Sequence, residues 1–239
     1  VRLAGETLTV QDRKFFMGNT SPYAAADYDN NIERTVPYYS FFYRQTLDLV
    51  AALGLDAFQW LDCGGGTGTM AEMALTMFPQ AQFTLCDPSE EMVGLAKRKL
   101  SGEKRVKEYR VIGTEGIGFE NRFDVITAIQ SHHYFREDER VKATQNVYRA
   151  LKADGIYIFF ENTAPLTEEG KKIVMKRWAR YQREHGKTEN EINTYLSRYG
   201  KNYFPITLHA HLENLKQAGF RIAEPFWLSV MQAGFYAIK

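Results

Sequence analysis

Cysteine is nearly absent. Cys63 and Cys86 are the only two in 239 residues, too few for a disulfide framework and without metal-ligand spacing. Each is expected to close a strand next to the other's, as a reduced packing residue. No apolar run approaches the roughly eighteen residues of a membrane-spanning helix. Neither sign of charge dominates: 30 Lys and Arg against 29 Asp and Glu leave +1, so no global field favours nucleic acid or a membrane. Residues 1–12 lack the charged-then-apolar order of a signal segment, and repeats and low-complexity stretches are missing. What is present, 44% hydrophobic and 25% charged residues, suits a globular chain with one large core, or a core plus a small cap. A cytoplasmic protein with no membrane partner is the expectation.

Short apolar runs alternate with helical patterns. Strands are predicted near 57–62, 82–86, 106–112, 123–129 and 155–161, and helices near 68–77, 89–100 and 137–152. Pro79 stops the first helix; Ser89 caps the second, with Glu90 and Glu91 in its first turn. Such alternation predicts a parallel sheet covered on both faces. A helix over 207–218 ends at Gly219, and strands near 221–229 and 231–238 follow. Gly234 interrupts the last, predicting a hairpin with an antiparallel edge. Upstream, 1–20 reads as a strand or arm, 22–31 as a short helix or loop, and a helix runs from Tyr38 to Gly54 with Pro37 at its first turn. The division is a 1–55 arm and helical lid, a 56–161 core, a 162–205 insertion and a 206–239 completion of the core.

The insertion holds nine Lys or Arg against five Glu. A solvated helical face explains this; a surface for an anionic substrate or RNA phosphate is the sharper alternative. Trp178 and Tyr181 would serve as a stacking platform or as core.

The most informative stretch is Asp62-Cys63-Gly64-Gly65-Gly66-Thr67-Gly68. A strand ends in a carboxylate, turns through glycines and enters a helix, bringing bare backbone and a positive helix end to a ligand. Asp87 closes the next apolar run, where an acid takes a ribose hydroxyl pair. Two adenosine cofactors compete. Gly66-x-Gly68-x-x-Ala71 fits the dinucleotide fingerprint ending in alanine. A pyrophosphate, however, would face the Asp62 charge in a partly buried site, where repulsion is worth several kcal/mol. An ammonium would be attracted, and S-adenosylmethionine carries an ammonium and no phosphate.

The segment Trp60 to Gly68 resembles motif I of the class I S-adenosylmethionine-dependent methyltransferases. Leu85 to Met92, Phe123 to Phe135 and Leu151 to Phe160 resemble, in order, their second motif, their fourth strand with its histidine-containing exit, and the turn into the fifth strand. The resemblance spans about 57 to 161. It implies a Rossmann-like α/β fold: a mostly parallel seven-stranded sheet with helices on both faces, an antiparallel final strand, an N-terminal helical lid and a helical cap. Outside the core, Arg34 to Ser40 and Glu191 to Phe220 resemble the carboxy-S-adenosylmethionine synthase family of tRNA wobble-uridine modification. In that family an arginine of the late cap holds the cofactor's added carboxylate and prephenate donates it. Leu196 stands at the matching place, with Arg198 nearby.

The expected cofactor is S-adenosyl-L-methionine. Asp62 is expected to hold its ammonium, Gly64, Gly65 and Gly66 its amino-acid portion, Asp87 its ribose, and Thr114 or Glu115 its adenine amino group. Met92 packs on the adenine or in the core, and Ile129 and Gln130 lie under the sulfonium. Tyr39 falls where the synthase family has a cofactor-contacting tyrosine, and Tyr43 is a second candidate. His133 is the candidate catalytic base, and Glu161, ending the fifth strand, a second candidate, if the acceptor must lose a proton; a structural histidine is the alternative. No metal site is expected, because His209 and His211 cannot share a helix face. The function expected is methyl transfer to a small molecule, with a carboxy-cofactor synthase as alternative. An NAD oxidoreductase and a non-catalytic cofactor-binding protein rank behind. A homodimer is implied by the resemblance, and tRNA remains a possible partner that the sequence does not favour.

Overall fold

The computed structural model describes residues 21–239; the predicted strand or arm over 1–20 lies outside them. Seven strands form one sheet: β1 (Gln59–Cys63), β2 (Gln82–Asp87), β3 (Val106–Val111), β4 (Phe123–Ile129), β5 (Leu151–Asn162), β6 (Ile222–Ser229) and β7 (Gln232–Ile238). Their order is β3-β2-β1-β4-β5-β7-β6. The first five run parallel, and β7 is antiparallel to both β5 and β6. Order reverses between β1 and β4, so the carboxyl ends of these strands open a crevice, the usual ligand position in such sheets.

Period-two burial sorts the strands onto two faces. Trp60, Val125 and Phe160 pack with Phe42 on one side; Leu61, Ile126 and Phe159 pack with Leu215 on the other. The first face is covered by α2 (Tyr39–Ala52) and α3 (Thr69–Met77), and the second by α5 (Glu137–Ala150) and α8 (Leu208–Ala218). Helix α4 (Glu90–Lys99) follows β2, and Ser89 Oγ caps it by accepting the Met92 N–H at 3.3 Å. The lid is a short turn at Ala25–Asp27 and α1 (Tyr28–Thr35), followed by α2; the cap is α6 (Glu168–Glu184) and α7 (Glu189–Leu196). Lid and cap are stitched together. Trp178 Nε1 donates to Thr35 O (2.6 Å), Tyr181 Oη to Glu33 O (2.8 Å), and Arg34 to the carbonyls of His185 and Gly186 (3.0 and 2.7 Å).

Three elements differ from expectation. Helix α5 ends at Ala150 and β5 begins at once, because Leu151 is already extended. The register then jumps from Phe123↔Leu151 to Val125↔Ile156 across a bulge whose Asp154 has φ 61°. Strand β7 is interior and β6 is the edge, so the hairpin folds back between β5 and its own partner. Gly234 does not interrupt β7: a Cβ there would sit 2.6 Å from the Phe160 ring, so the glycine admits an aromatic side chain. At the lid, α2 starts at Tyr39, one residue late, because Tyr38 takes a left-handed conformation (φ 59°).

Candidate functional site

The glycine turn follows β1 directly. Gly64 and Gly66 have φ of 64° and 53°, which few side chains tolerate. Gly65 N donates to Cys86 O (3.0 Å) and Gly66 N to Asp87 Oδ2 (3.0 Å), so the turn is tied to the end of β2. Asp87 Oδ1 also accepts the Ser89 N–H at 2.8 Å. A Cβ on Gly68 would lie 3.2 Å from Ala96 and Leu100, so this residue lets α3 pack on α4.

Above the turn lies a cavity of about 570 Å³. All eleven expected cofactor contacts line it: Tyr39, Asp62, Gly64, Gly65, Gly66, Asp87, Met92, Thr114, Glu115, Ile129 and Gln130. Tyr43 lines it too, and its hydroxyl donates to that of Tyr39 at 3.0 Å. Tyr28 of the lid completes this hydroxyl cluster, 3.3 Å from Tyr39. Burial raises all three phenols well above their ordinary value, so they are neutral donors and acceptors.

Asp62 is 1% exposed. Its Oδ1 accepts the Thr127 hydroxyl at 2.8 Å, whereas Oδ2 has no partner among the described residues. Burial pushes this carboxyl up to about 7, the Thr127 hydrogen bond draws it partly back, and the Asp87 charge adds to the rise. Burial also raises Asp87, against its two backbone N–H donors. An unbonded carboxylate oxygen this deep carries a desolvation penalty that a cationic ligand would relieve. Gln130 repeats the pattern: its φ is 55°, it is 6% exposed, and its Nε2 has no partner among the described residues.

Beyond β3, Thr114 is held by Asn146 Nδ2, which donates to its carbonyl (3.0 Å), and by the His132 ring, whose Nε2 lies 3.0 Å from its hydroxyl. The other nitrogen of His132 lies 3.0 Å from Tyr157 Oη, and burial lowers this histidine to about 4. His132 therefore lines the cavity as a neutral, fully used ring. His133 does not line it. Glu161 accepts both backbone N–H groups, from His132 at 2.8 Å and His133 at 2.6 Å, and lies 2.8 Å from His133 Nδ1. Burial pushes Glu161 up, but the His133 hydrogen bond and the nearby His133, His132 and Arg140 outweigh it, so the carboxyl is held below its ordinary value. This arrangement anchors the β4 exit to the end of β5.

The remaining expectations are placed as follows. Cys63 and Cys86 are register partners in β1 and β2, buried and free. Trp178 is fully buried against the lid and offers no stacking platform. Lys187, counted among the cap's cations, is buried with its Nζ 2.8 Å from Asn31 Oδ1. Sequence reasoning passed over Tyr134, Arg136, Lys201 and Phe204 as cavity residues. Their loops have no periodic pattern, and only the packing of the cap against the β4 exit brings them in. Among the described residues no cluster of His, Cys, Asp and Glu could hold a metal ion, and no helix is long and apolar enough to cross a membrane.

Residues 61–157 match the methyltransferase domain family. The chain has the Rossmann-like fold of the class I S-adenosylmethionine-dependent methyltransferases. Carboxy-S-adenosyl-L-methionine synthase of Nautilia profundicola is 25% identical over 216 residues, covering 90% of this chain and 92% of that protein. The citrinin polyketide synthase CMeT domain superposes with a TM-score of 0.66 at 15% identity, over 96% of this chain and 57% of that one. Human N-acetylserotonin methyltransferase, solved with S-adenosylmethionine, gives 0.55 at 17%, over 95% and 61%. The lining fits the expected cofactor, S-adenosylmethionine. The unpartnered Asp62 oxygen suits an ammonium, Asp87 at the tip of β2 a ribose diol, and the glycine turn leaves room for an amino-acid tail.

Proposed function

We propose that this enzyme methylates a small molecule by in-line displacement at the sulfonium carbon. The observation that carries this reading is the buried, half-satisfied Asp62 carboxylate facing a cavity over a glycine turn. A diphosphate there would meet a buried acid; an ammonium meets its counter-ion. When bound, S-adenosylmethionine supplies an activated methyl group on sulfur, already a good leaving group. The residues of the chain bind and align. Asp62 takes the ammonium, Asp87 the ribose hydroxyls, and Thr114 or Glu115 the adenine edge. The cluster of Tyr28, Tyr39 and Tyr43 walls the site from water. Alignment and desolvation then supply most of the rate. His132 and His133 are committed to Thr114, Tyr157 and Glu161, so the reading assigns no histidine base. An acceptor whose nucleophile carries a lone pair at neutral pH fits such a site.

Titration calorimetry with S-adenosylmethionine and NAD, followed by a labelled-methyl screen against small molecules and bulk tRNA, tests it. Tight sulfonium binding with label on a small molecule supports it. NAD binding in preference would overturn the cofactor, and label on tRNA the acceptor class.

A second reading, carboxy-cofactor synthesis, draws support from the named relatives. Leu196 packs against the core, but Arg198 lines the cavity and offers a cation for an added carboxylate. Mass analysis of the cofactor after incubation with prephenate decides: a carboxylated product would replace methyl transfer as the reaction.

A further inference from the structure

A chain of three buried side chains ends at the cavity. Tyr157 Oη lies 3.0 Å from His132 Nδ1, and His132 Nε2 lies 3.0 Å from Thr114 Oγ1. Thr114 and His132 line the cavity, whereas Tyr157 stands behind them, 1% exposed. Both ends of the ring's contacts are fixed through the backbone. The His132 N–H donates to Glu161 Oε1 at 2.8 Å, and the Thr114 carbonyl accepts Asn146 Nδ2 at 3.0 Å. Among the described residues, the His132 ring is the only hydrogen-bond partner of the Tyr157 and Thr114 hydroxyls.

The direction of these bonds follows from a proton count. Burial keeps His132 neutral, at about 4, so its ring has one N–H and one bare nitrogen. Burial also keeps the Tyr157 phenol protonated. The chain thus holds three hydrogens, on Tyr157, His132 and Thr114, for two gaps, and one hydrogen must leave at an end. With the ring proton on Nδ1, the hydrogen that leaves is that of Tyr157, a buried donor with no acceptor among the described residues, which native structures avoid. With the proton on Nε2, Tyr157 donates to Nδ1, Nε2 donates to Thr114 Oγ1, and the Thr114 hydrogen is the one left over, at the residue that lines the cavity.

We infer that Tyr157, acting through His132, makes the Thr114 hydroxyl a donor to the cofactor's base, so that Thr114 takes a ring-nitrogen lone pair and Glu115 takes the amino group. Tyr157 is a positioning residue in this arrangement. Glu115 is the neighbouring acceptor: its Oε2 is buried without a partner among the described residues. A donor beside an acceptor matches adenine, whose amino group stands between the lone pairs of N1 and N7. An oxo group in place of the amino would set one acceptor against another. This inference rests on the reading of S-adenosylmethionine as cofactor.

Histidine ¹⁵N spectra of the full chain locate the proton without any ligand. His132, assigned by loss of its signals in His132→Gln, is expected to show a bare Nδ1 and a protonated Nε2. In Tyr157→Phe, which keeps the ring stacked on Phe159 (4.7 Å), the Nδ1 signal shifts because its donor is gone. Calorimetry then compares S-adenosylhomocysteine with its 1-deaza, 7-deaza and 6-deamino analogues in wild type, Thr114→Ser and Thr114→Val. One deaza analogue is expected to bind wild type at least about tenfold more weakly than the parent. That ratio survives in Thr114→Ser and falls below about threefold in Thr114→Val, while the deamino loss stays the same in all three proteins. The two deaza arms show which nitrogen is taken. A protonated Nδ1 in wild type, or His132 signals unmoved in Tyr157→Phe, overturns the inference. So do deaza analogues that both bind wild type as the parent does, or a deaza loss that persists in Thr114→Val. A deamino loss that vanishes in Thr114→Val would make Thr114 the acceptor of the amino group, and overturns it as well. Failure of wild type to bind S-adenosylhomocysteine at all strikes the cofactor reading beneath it, whatever the spectra show.

Discussion

Thr127 donates its hydroxyl to Asp62 Oδ1 at 2.8 Å and accepts the indole N–H of Trp60 at 2.9 Å. All three side chains are buried. One carboxylate oxygen is thus fixed from within the sheet and the other is left for a ligand. A wholly apolar surround would leave the acid protonated, and a full set of donors would leave nothing for the cofactor. The single hydroxyl from β4 holds Asp62 at an intermediate value, about 7.

Affinity for S-adenosylmethionine is therefore expected to rise with pH through about 7. Below that value free Asp62 carries a proton that ammonium binding must expel. Calorimetry in buffers of different ionisation heat should show proton release near pH 6 that fades by pH 8. Asp62→Asn should flatten this profile and weaken binding by one to two orders of magnitude. If the profile persists in Asp62→Asn, the proton belongs elsewhere.

The same substitution should stabilise the free protein. The folded pKa is raised from 3.8 to about 7, so between these values the folded state binds the extra proton. This group's contribution to stability is greatest at low pH and is lost as pH rises through 7. At pH 8 Asp62→Asn removes that cost, a gain of about 1–4 kcal/mol. Denaturant midpoints at pH 5 and pH 8 measure it; a variant no more stable at pH 8 than wild type would contradict the assignment.

Glu161 behaves oppositely. Its folded pKa is depressed, so its contribution is present above the ordinary carboxylate value and lost as pH falls through the lower folded one. Glu161→Gln leaves buried backbone donors with a poorer acceptor and should cost about 3–5 kcal/mol at neutral pH. Its acid-unfolding limb should be shallower than that of wild type. His133→Asn, by contrast, should reduce stability without removing cofactor binding, because His133 stands outside the cavity lining.

The lid is latched to the glycine turn. Thr67 Oγ1 donates to Asp29 Oδ1 at 2.8 Å, and Lys99 Nζ reaches Asp29 (2.9 Å) and Thr69 (2.8 Å). Tyr28, the neighbour of Asp29, lines the cavity, so opening the lid moves a wall of the site. Asp29 is half exposed, and such contacts are worth about 1 kcal/mol. Asp29→Ala should speed S-adenosylhomocysteine release about three- to tenfold in stopped flow with little change in melting temperature. An unchanged release rate would show that this lid contact does not limit exit.

Much of the cofactor half of the site was legible because it is local. Asp62, the glycines and Asp87 lie at strand tips whose positions follow from apolar runs and breakers, and the adjacent loops place Thr114 and Gln130. The side of the cavity under the cap was not. Arg198 and Lys201 reach the cavity only because the 197–204 loop bonds to the β4 exit through Phe204 and Arg140, a contact with no sequence period. Periodicity also does not reveal sheet order. Gly234 reads as an interruption of a strand until Phe160 of β5 is seen passing over it. Likewise His133 reads as a candidate base until Glu161, 28 residues on, is found beside it.

Gly64 ties turn geometry to this wall. Its φ of 64° is unfavourable for a side chain, and an added Cβ would collide with the Ser131 side chain at the β4 exit. Gly64→Ala should cost about 2–4 kcal/mol, of which about 1–3 is overpacking and the rest backbone strain. Removing the opposing atoms with Ser131→Gly should recover the overpacking part and leave the strain, giving a coupling energy of about 1–3 kcal/mol in a double-mutant cycle. Cofactor affinity should follow the same cycle, since the turn that clashes is the one that faces the ligand. Strict additivity of the two substitutions would mean that the turn relaxes away from Ser131 and that the β1 and β4 exits are not held in register by this contact.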